Sequence, residues 1–403
     1  MKKIFQLIVI ALLSLSVLFG CKENKLKALI VTGQNNHNWE ESHIILKKIL
    51  ENSGTFNVET SISPAKGEDM SSFVPDFYAF DVIVLDYNGD EWPEKTKKNF
   101  EKYVKDGGGV VVYHASDNSF PAWKEYNVMI GLGGWKGRNE KSGSYVYYNN
   151  RDELIRDNSE GNGGEHGPQH EFVIEIRDTE HSIVKGLNKR WLHSQDELYS
   201  KLRGPAQNMN IIATAYADTS YKGTGRHEPI LMTIEYGKGR VFHTVLGHVG
   251  SEKVHYATQD AGFIITLQRG AEWAATGEVK QQLPEDLPNV GSAFLLPNYK
   301  FYTLDELFAK AKSFEYGKAQ KYLYLISNRI REAKGGSEKL KDFENRILKT
   351  MQSDDATSEC KNYFCRELSW MGSEKSLPLL NELLKNDETS EMAQFALTRL
   401  QQQ

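Results

Sequence analysis

The chain has 403 residues, 39% of them hydrophobic and 26% charged, with a formal net charge of −5. This length allows two or three domains with an ample core, and the composition is ordinary for a soluble globular protein. Charges of both signs are mixed along the chain, so no basic face is offered to nucleic acid, and that partner class is set aside.

Residues 1–21 have the pattern of an export signal. A charged "MKK" precedes the apolar run "IFQLIVIALLSLSVLFG", and Cys21 follows. The run is marginal for a spanning helix. "LFGC" resembles the lipobox of bacterial lipoproteins, in which the cysteine becomes the lipidated mature N-terminus, although Phe19 is larger than the usual residue there. The resemblance implies lipidation at Cys21 and a membrane-anchored lipoprotein on the periplasmic or cell-surface side. A simple secretory signal cleaved nearby is the alternative. Only Cys360 and Cys365 remain, five apart in a helical pattern, a spacing that does not place them on one face for a disulfide.

From residue 26 to about 277 strands and helices alternate. "KALIVTG" predicts a buried first strand. "NWEESHIILKKILENSG" predicts a helix with Ile44, Ile45, Leu46, Ile49 and Leu50 on its apolar face and Gly54 as its stop. "FNVETSIS" and "FDVIVLDYN" are the next strands. "PEKTKKNFEKYVKDGGG" is a helix opened by Pro93 and closed by glycines, and it leads into the strand "GVVVYHAS". Short apolar strands separated by helices indicate a mostly parallel sheet covered on both faces, with ligands bound beyond the carboxyl ends of its strands. Those ends, Thr32 to His37, Asp86 to Asp90 and Tyr113 to Asp117, are all polar and should converge.

The Gly-rich segment from Gly131 to about Gln169 is expected to form long loops over the sheet edge. Regular structure resumes with "HEFVIEI", "NIIATAYA", the hairpin-like "EPILMTIEYGKGRVFHTVLGH" and the helix "DAGFIITLQRGAEWAATG". Residues 278–300 contain three prolines and no periodicity, so they are expected to be a linker packed on a surface. Residues 301–403 form a small all-α region. Its last part resembles one unit of a HEAT-like repeat, which should dock on the helices before it and could present a surface to a protein partner.

"GGGVVVYHAS", Gly107 to Ser116, predicts a strand whose end is forced into a sharp turn. In α/β hydrolases and class I amidotransferases such a turn carries a nucleophile. Here His114 occupies it. Together with "GGW" at Gly133, "HSIVKGL" at His181, "DELYS" at Asp196, the hairpin segment ending "LGH" and "RGAEWAATG", it resembles the ThuA-like (trehalose-utilisation) family. That family is a branch of the class I glutamine amidotransferase-like superfamily. The resemblance covers most of residues 26–277. It implies a flavodoxin-like α/β fold and a carbohydrate partner, a disaccharide or its 3-keto derivative. The family pattern often continues "LGH" with an acid, whereas Val249 follows here, so no acidic role is carried over to that place.

Four residues are candidates for catalysis. His114 suits proton transfer at a strand end. His248 ends the late strand and could face it. Of the adjacent Asp196 and Glu197, an extended backbone can send only one into the site. His243, five residues before His248, should point to the opposite face and pack structurally. Asn35, Asn36 and His37 are candidate sugar-hydroxyl partners, with Trp39 and Trp135 as aromatic binding surfaces, while Asn38 caps the first helix with Glu41 three residues on. His166 and His170 are four apart, but Gly167 and Pro168 between them argue against the helix that would make this a zinc pair. The cofactor stays open, and a divalent metal held by His37, His114, Glu197 and His248 is compatible with the residue types. Glutamine hydrolysis is excluded, since it needs an activated thiol and neither Cys360 nor Cys365 lies in the α/β region. Two readings follow: acid/base cleavage of a keto-glycoside, or a non-catalytic sugar-binding or scaffold lipoprotein.

Overall fold

The computed structural model describes residues 24–318, 320–333 and 337–402, so the expected signal segment and Cys21 lie outside the described residues. The chain divides into two compact units after Lys300.

The first unit is built on strands β1 (Leu26–Thr32), β2 (Phe56–Ile62), β3 (Val82–Leu85), β4 (Gly109–Tyr113), β5 (Ser144–Tyr148), β6 (Leu154–Asp157), β7 (His170–Ile176), β8 (Arg190–Asp196), β9 (Arg203–Gly204), β10 (Met209–Tyr216), β11 (His227–Tyr236) and β12 (Gly239–Thr244). They form one sheet in the order β2-β1-β3-β4-β12-β11-β10-β7-β8, from which β5 branches off β11 and carries β6 and β9 as its own partners. Strands β2, β1, β3, β4 and β12 run parallel. From β12 through β11, β10 and β7 to β8 the pairing is antiparallel. This is the flavodoxin-like α/β architecture, extended by an antiparallel half. Every residue of β3 and β4 is buried, as strands covered on both faces require.

The three glycines before β4 each answer a different constraint. Gly107 caps the helix Glu94–Asp106 at φ 128°, a left-handed value that favours glycine. A Cβ on Gly108 would meet the Tyr103 ring of that helix at 2.4 Å, and one on Gly109 would meet the Ala274 backbone at 2.5 Å. Successive residues of an extended chain point to opposite faces, so the helices Glu94–Asp106 and Ala261–Thr276 cover the two sides of the sheet.

The helix Trp39–Asn52 starts as expected, with the Asn38 side chain accepting the Glu41 N–H. Its buried stripe is Ser42, Ile45, Leu46, Ile49 and Leu50, whereas Ile44 is 58% exposed. The stripe needs a polar member because Ser42 Oγ donates to the buried Asp86 carboxylate at 2.5 Å.

The Gly-rich middle is more ordered than its composition indicates. It contains the β5–β6 hairpin, and two buried arginines bind loop carbonyls within it and in the turn before it. Arg138 donates to Asn118, Ser119 and Gly134, and Arg203 donates to Gly143, Ser159 and Gly161. These bonds satisfy backbone acceptors that a ladder would otherwise pair. Residues 278–300 pack within this unit. Glu272 accepts the N–H groups of Lys280 and Gln281, and Ala261 and Leu296 exchange backbone bonds with Phe294 and Gln259.

The second unit is all-helical, with helices Leu304–Ala311, Lys321–Glu332, Ser337–Met351, Ser358–Met371, Leu377–Leu383 and Ser390–Leu400. Its core includes Leu307, Ile326, Ile347, Phe364, Leu368, Leu380 and Ala396. Cys360 and Cys365 are both buried free thiols, pushed up to about 12 by burial.

Candidate functional site

The loops that follow β1, β3, β4 and β12 deliver His37, Asp86, His114 and His248 to the carboxyl edge of the parallel half. His114 has φ 45°, a left-handed value rare for a residue with a Cβ, and it opens a tight turn through Asn118. The turn fixes the ring. Nδ1 lies 2.6 Å from the Val245 carbonyl oxygen, and Nε2 faces the site beside the Tyr199 hydroxyl at 3.1 Å. Ser116, two residues on, is not a nucleophile in waiting: its Oγ donates to Leu85 O and accepts the Tyr87 N–H.

Glu197 is the centre of the site. Its Oε2 lies 3.5 Å from His37 Nε2 and 3.7 Å from both His114 Nε2 and His166 Nε2, and its Oε1 lies 3.3 Å from His248 Nε2. The ring of His37 meets those of His114 and His248 edge-on at 4.8 Å. The far side of His248 is held by Glu252 Oε1, 3.0 Å from Nδ1, with Gln169 beside it. His37, His114 and Glu197 offer three ligand atoms within 4.8 Å of one another, and these are the residues that could hold a metal ion.

The electrostatics follow from this crowding. Burial would raise the Glu197 carboxyl, but the histidines around it hold it far below the usual carboxylate range. Burial would lower His114, yet the neighbouring Glu197 and Asp196 carboxylates raise it. Burial and the charge on His114 lower both His37 and His248. Asp86, fully buried under Ser42, Thr32 and Asn35, is pushed up to about 7 by desolvation.

The other candidates are distributed around this centre. Asp196 points the opposite way from Glu197. It accepts the backbone N–H groups of Gly247 and His248 and lies 2.9 Å from His193 Nε2, so it positions the His248 loop and does not line the site. Trp135 packs on Tyr199 at 4.7 Å and on His166 at 5.9 Å, which makes it a wall of the site. Asn36 is exposed and accepts a bond from Asn88, and Trp39 packs on His43 at 5.8 Å in the first helical turn. His243 is fully buried, with Nδ1 2.9 Å from the Ile130 carbonyl oxygen and Nε2 3.5 Å from Asp117. His166 and His170 separate: His166 joins the cluster, while His170 stacks on Tyr221 at 3.9 Å. Sequence reasoning passed over three members of the site, namely Tyr199, Glu252 and Gln169. Tyr199 lay within the quoted "DELYS"; for the other two no local signal existed.

The trehalose-utilisation (ThuA) family profile matches residues 27–274. A solved ThuA-like protein from Parabacteroides merdae is 52% identical and superposes with a TM-score of 0.68, covering 69% of this chain and 100% of that one. A second, from Bacteroides uniformis, is 18% identical with a TM-score of 0.43, covering 64% of this chain and 95% of its own. No curated protein matches the chain.

Proposed function

The chain belongs to the trehalose-utilisation (ThuA) family, and on that premise we propose an exported, carbohydrate-active protein that cleaves a keto-glycoside or related disaccharide derivative by proton transfer. One observation carries the reading: His114, His248 and Glu197 meet at the carboxyl edge of parallel strands, and the nearby serine hydroxyl is committed to backbone. Two proton-transfer groups without a nucleophile suit elimination better than acyl or glycosyl transfer through a covalent intermediate. The sugar class rests on the family's description, and the ketone on the family association.

In a 3-keto glycoside the carbonyl acidifies the C2 proton. A histidine takes that proton, the C–H electron pair becomes a C1=C2 double bond, and the C1–O bond breaks. The departing oxygen receives a proton from the second group. No oxidant or water is consumed. His248, oriented by Glu252, is the proton-transfer residue at one end of the site, and the His114–Glu197 pair is the other. Lipidation at Cys21 would hold the protein at a membrane surface, and glutamine amidotransferase activity is not part of the reading.

The test is a screen of the purified protein against oxidised and unoxidised disaccharides, with products followed by mass spectrometry. Consumption of the keto-sugar alone is expected. Saturable binding of sugar without turnover would instead favour the non-catalytic sugar-binding lipoprotein.

A further inference from the structure

We infer that His37, His114 and Glu197 form the binding site of a single divalent transition-metal ion, with zinc the first choice. The spacing argues for it. His37 Nε2 and His114 Nε2 stand 3.5 and 3.7 Å from Glu197 Oε2, beyond hydrogen-bond range, yet all three atoms face one point. Glu197 Oε2 is buried and has no hydrogen-bond partner among the described residues. A buried carboxylate oxygen left bare is costly, so such an orphan calls for a missing cation.

The orientation of the rings adds an independent argument. His114 Nδ1 is held at 2.6 Å by the Val245 carbonyl, which places the proton on Nδ1 in the neutral ring and the lone pair on Nε2, toward the site. His248 Nδ1 is held by Glu252 in the same way, and His166 Nδ1 lies 2.8 Å from the Gly167 carbonyl oxygen. Metal-binding histidines are fixed by such acceptors on the far nitrogen. Lone pairs aimed at one carboxylate repel each other and it unless a positive charge, a ring proton or a metal ion, lies between them. Two imidazoles and one carboxylate with a position left open is a ligand set that zinc accepts, and imidazole disfavours magnesium and calcium. The Tyr199 hydroxyl, 3.1 Å from His114 Nε2, would have to yield that nitrogen to the ion. With the ion bound, His114 and Glu197 would be ligands and not proton carriers; His248 keeps its proton-transfer role, and water held at the ion's open position would supply the second group.

The inference needs no sugar and is tested without one. The full chain, purified in mild detergent and stripped with chelator, is dialysed against Zn²⁺, Co²⁺, Mn²⁺ or Mg²⁺ and its metal content measured. About one zinc or cobalt per chain is expected, with a visible cobalt spectrum and little magnesium. Glu197→Gln, nearly the same shape, should weaken binding by more than about ten-fold, as should His37→Ala. His227→Ala, whose ring packs on Tyr216, should leave binding unchanged. Circular dichroism and melting curves show that each variant is folded. A folded wild type that takes up none of these ions overturns the site, as does undiminished binding in folded Glu197→Gln. Either result leaves the carbohydrate reading to its own screen.

Discussion

Asp196 and Glu197 are consecutive residues that leave β8 on opposite sides. Asp196 is fully buried against His193 and the N–H groups of Gly247 and His248, while Glu197 turns toward the Nε2 atoms of four histidines. On the proposed function the two carboxylates do different work, one structural and one chemical. Asp196→Asn should cost about 3–5 kcal/mol of stability, because it breaks a buried charged pair and turns an amide toward backbone donors. Glu197→Gln keeps the shape, and Glu197 stands 3.3–3.7 Å from its histidines with no backbone donor on it among the described residues, so the change should cost less stability than Asp196→Asn, and it should abolish the chemistry. Urea denaturation of both variants, set beside their turnover, checks the split. Equal stability losses would mean that Glu197 is structural as well.

The Asp196 side makes a statement about pH. Burial alone would lower the pKa of His193, but Asp260, 3.1 Å from its Nδ1, and Asp196 outweigh that and raise it to about 10. The unfolded value is near 6.5. A raised folded value means that the pairing contributes fully below about pH 6.5 and is lost as pH rises toward 10. Denaturation midpoints should fall between pH 7 and 10, and His193→Gln, destabilised overall, should show a flatter profile across that window. An unchanged slope would show that His193 is neutral in the fold.

Much of this was legible in the sequence, and the exceptions have physical causes. The parallel half announced itself because "VIVL" and "GVVVY" are strands buried on both faces, and His114 stood out because a β-branched run cannot continue through a sharp turn. That only one of Asp196 and Glu197 enters the site follows from the alternation of an extended chain; which one does so is set by the Gly247–His248 backbone, fifty residues on. The β5–β6 hairpin was hidden because the carbonyls flanking it, Gly143, Ser159 and Gly161, are bound by the distant Arg203, an arrangement without period. His166 gave a misleading signal, since its partner is Glu197 and not the histidine four residues away.

Residues 278–300 decide where the first unit ends. They supply caps to Glu272 and pair with both ends of the helix Ala261–Thr276. A chain ending at Lys300 should therefore fold and unfold cooperatively. One ending at Gly277 should be markedly less stable, because Glu272 loses its backbone donors and the Phe294 and Leu296 bonds disappear. Thermal melts of the two chains make the comparison. If both melt alike, the segment adds nothing and the boundary belongs earlier.

Export is tested at Cys21. Cys21→Ser should move the protein from the membrane fraction to a soluble pool or leave its signal uncleaved, as read by fractionation and intact mass. A variant that is processed and fractionates like the wild type would end the lipoprotein proposal.

The decisive prediction is an ordering of histidines. His114→Ala and His248→Ala should each slow turnover of a confirmed substrate by about 10²–10⁴-fold, the range for losing a proton-transfer group or the residue that holds one in place. Both rings are buried, His114 between the Val245 carbonyl and Tyr199, so turnover is counted per folded molecule. His243→Ala should do the reverse. Its ring is fully buried between Ile130 and Asp117, so its loss leaves the Asp117 carboxylate buried without that neighbour and lowers the melting temperature. Activity per folded molecule should survive. His166→Ala should fall between, because its ring is 36% exposed at the rim and touches Glu197 from the open side. His170→Ala should leave turnover intact, since that ring is stacked on Tyr221. Measured on folded variants with one substrate, full activity in His114→Ala together with none in His170→Ala would place the chemistry in the Gly-rich segment and overturn the site at the strand ends.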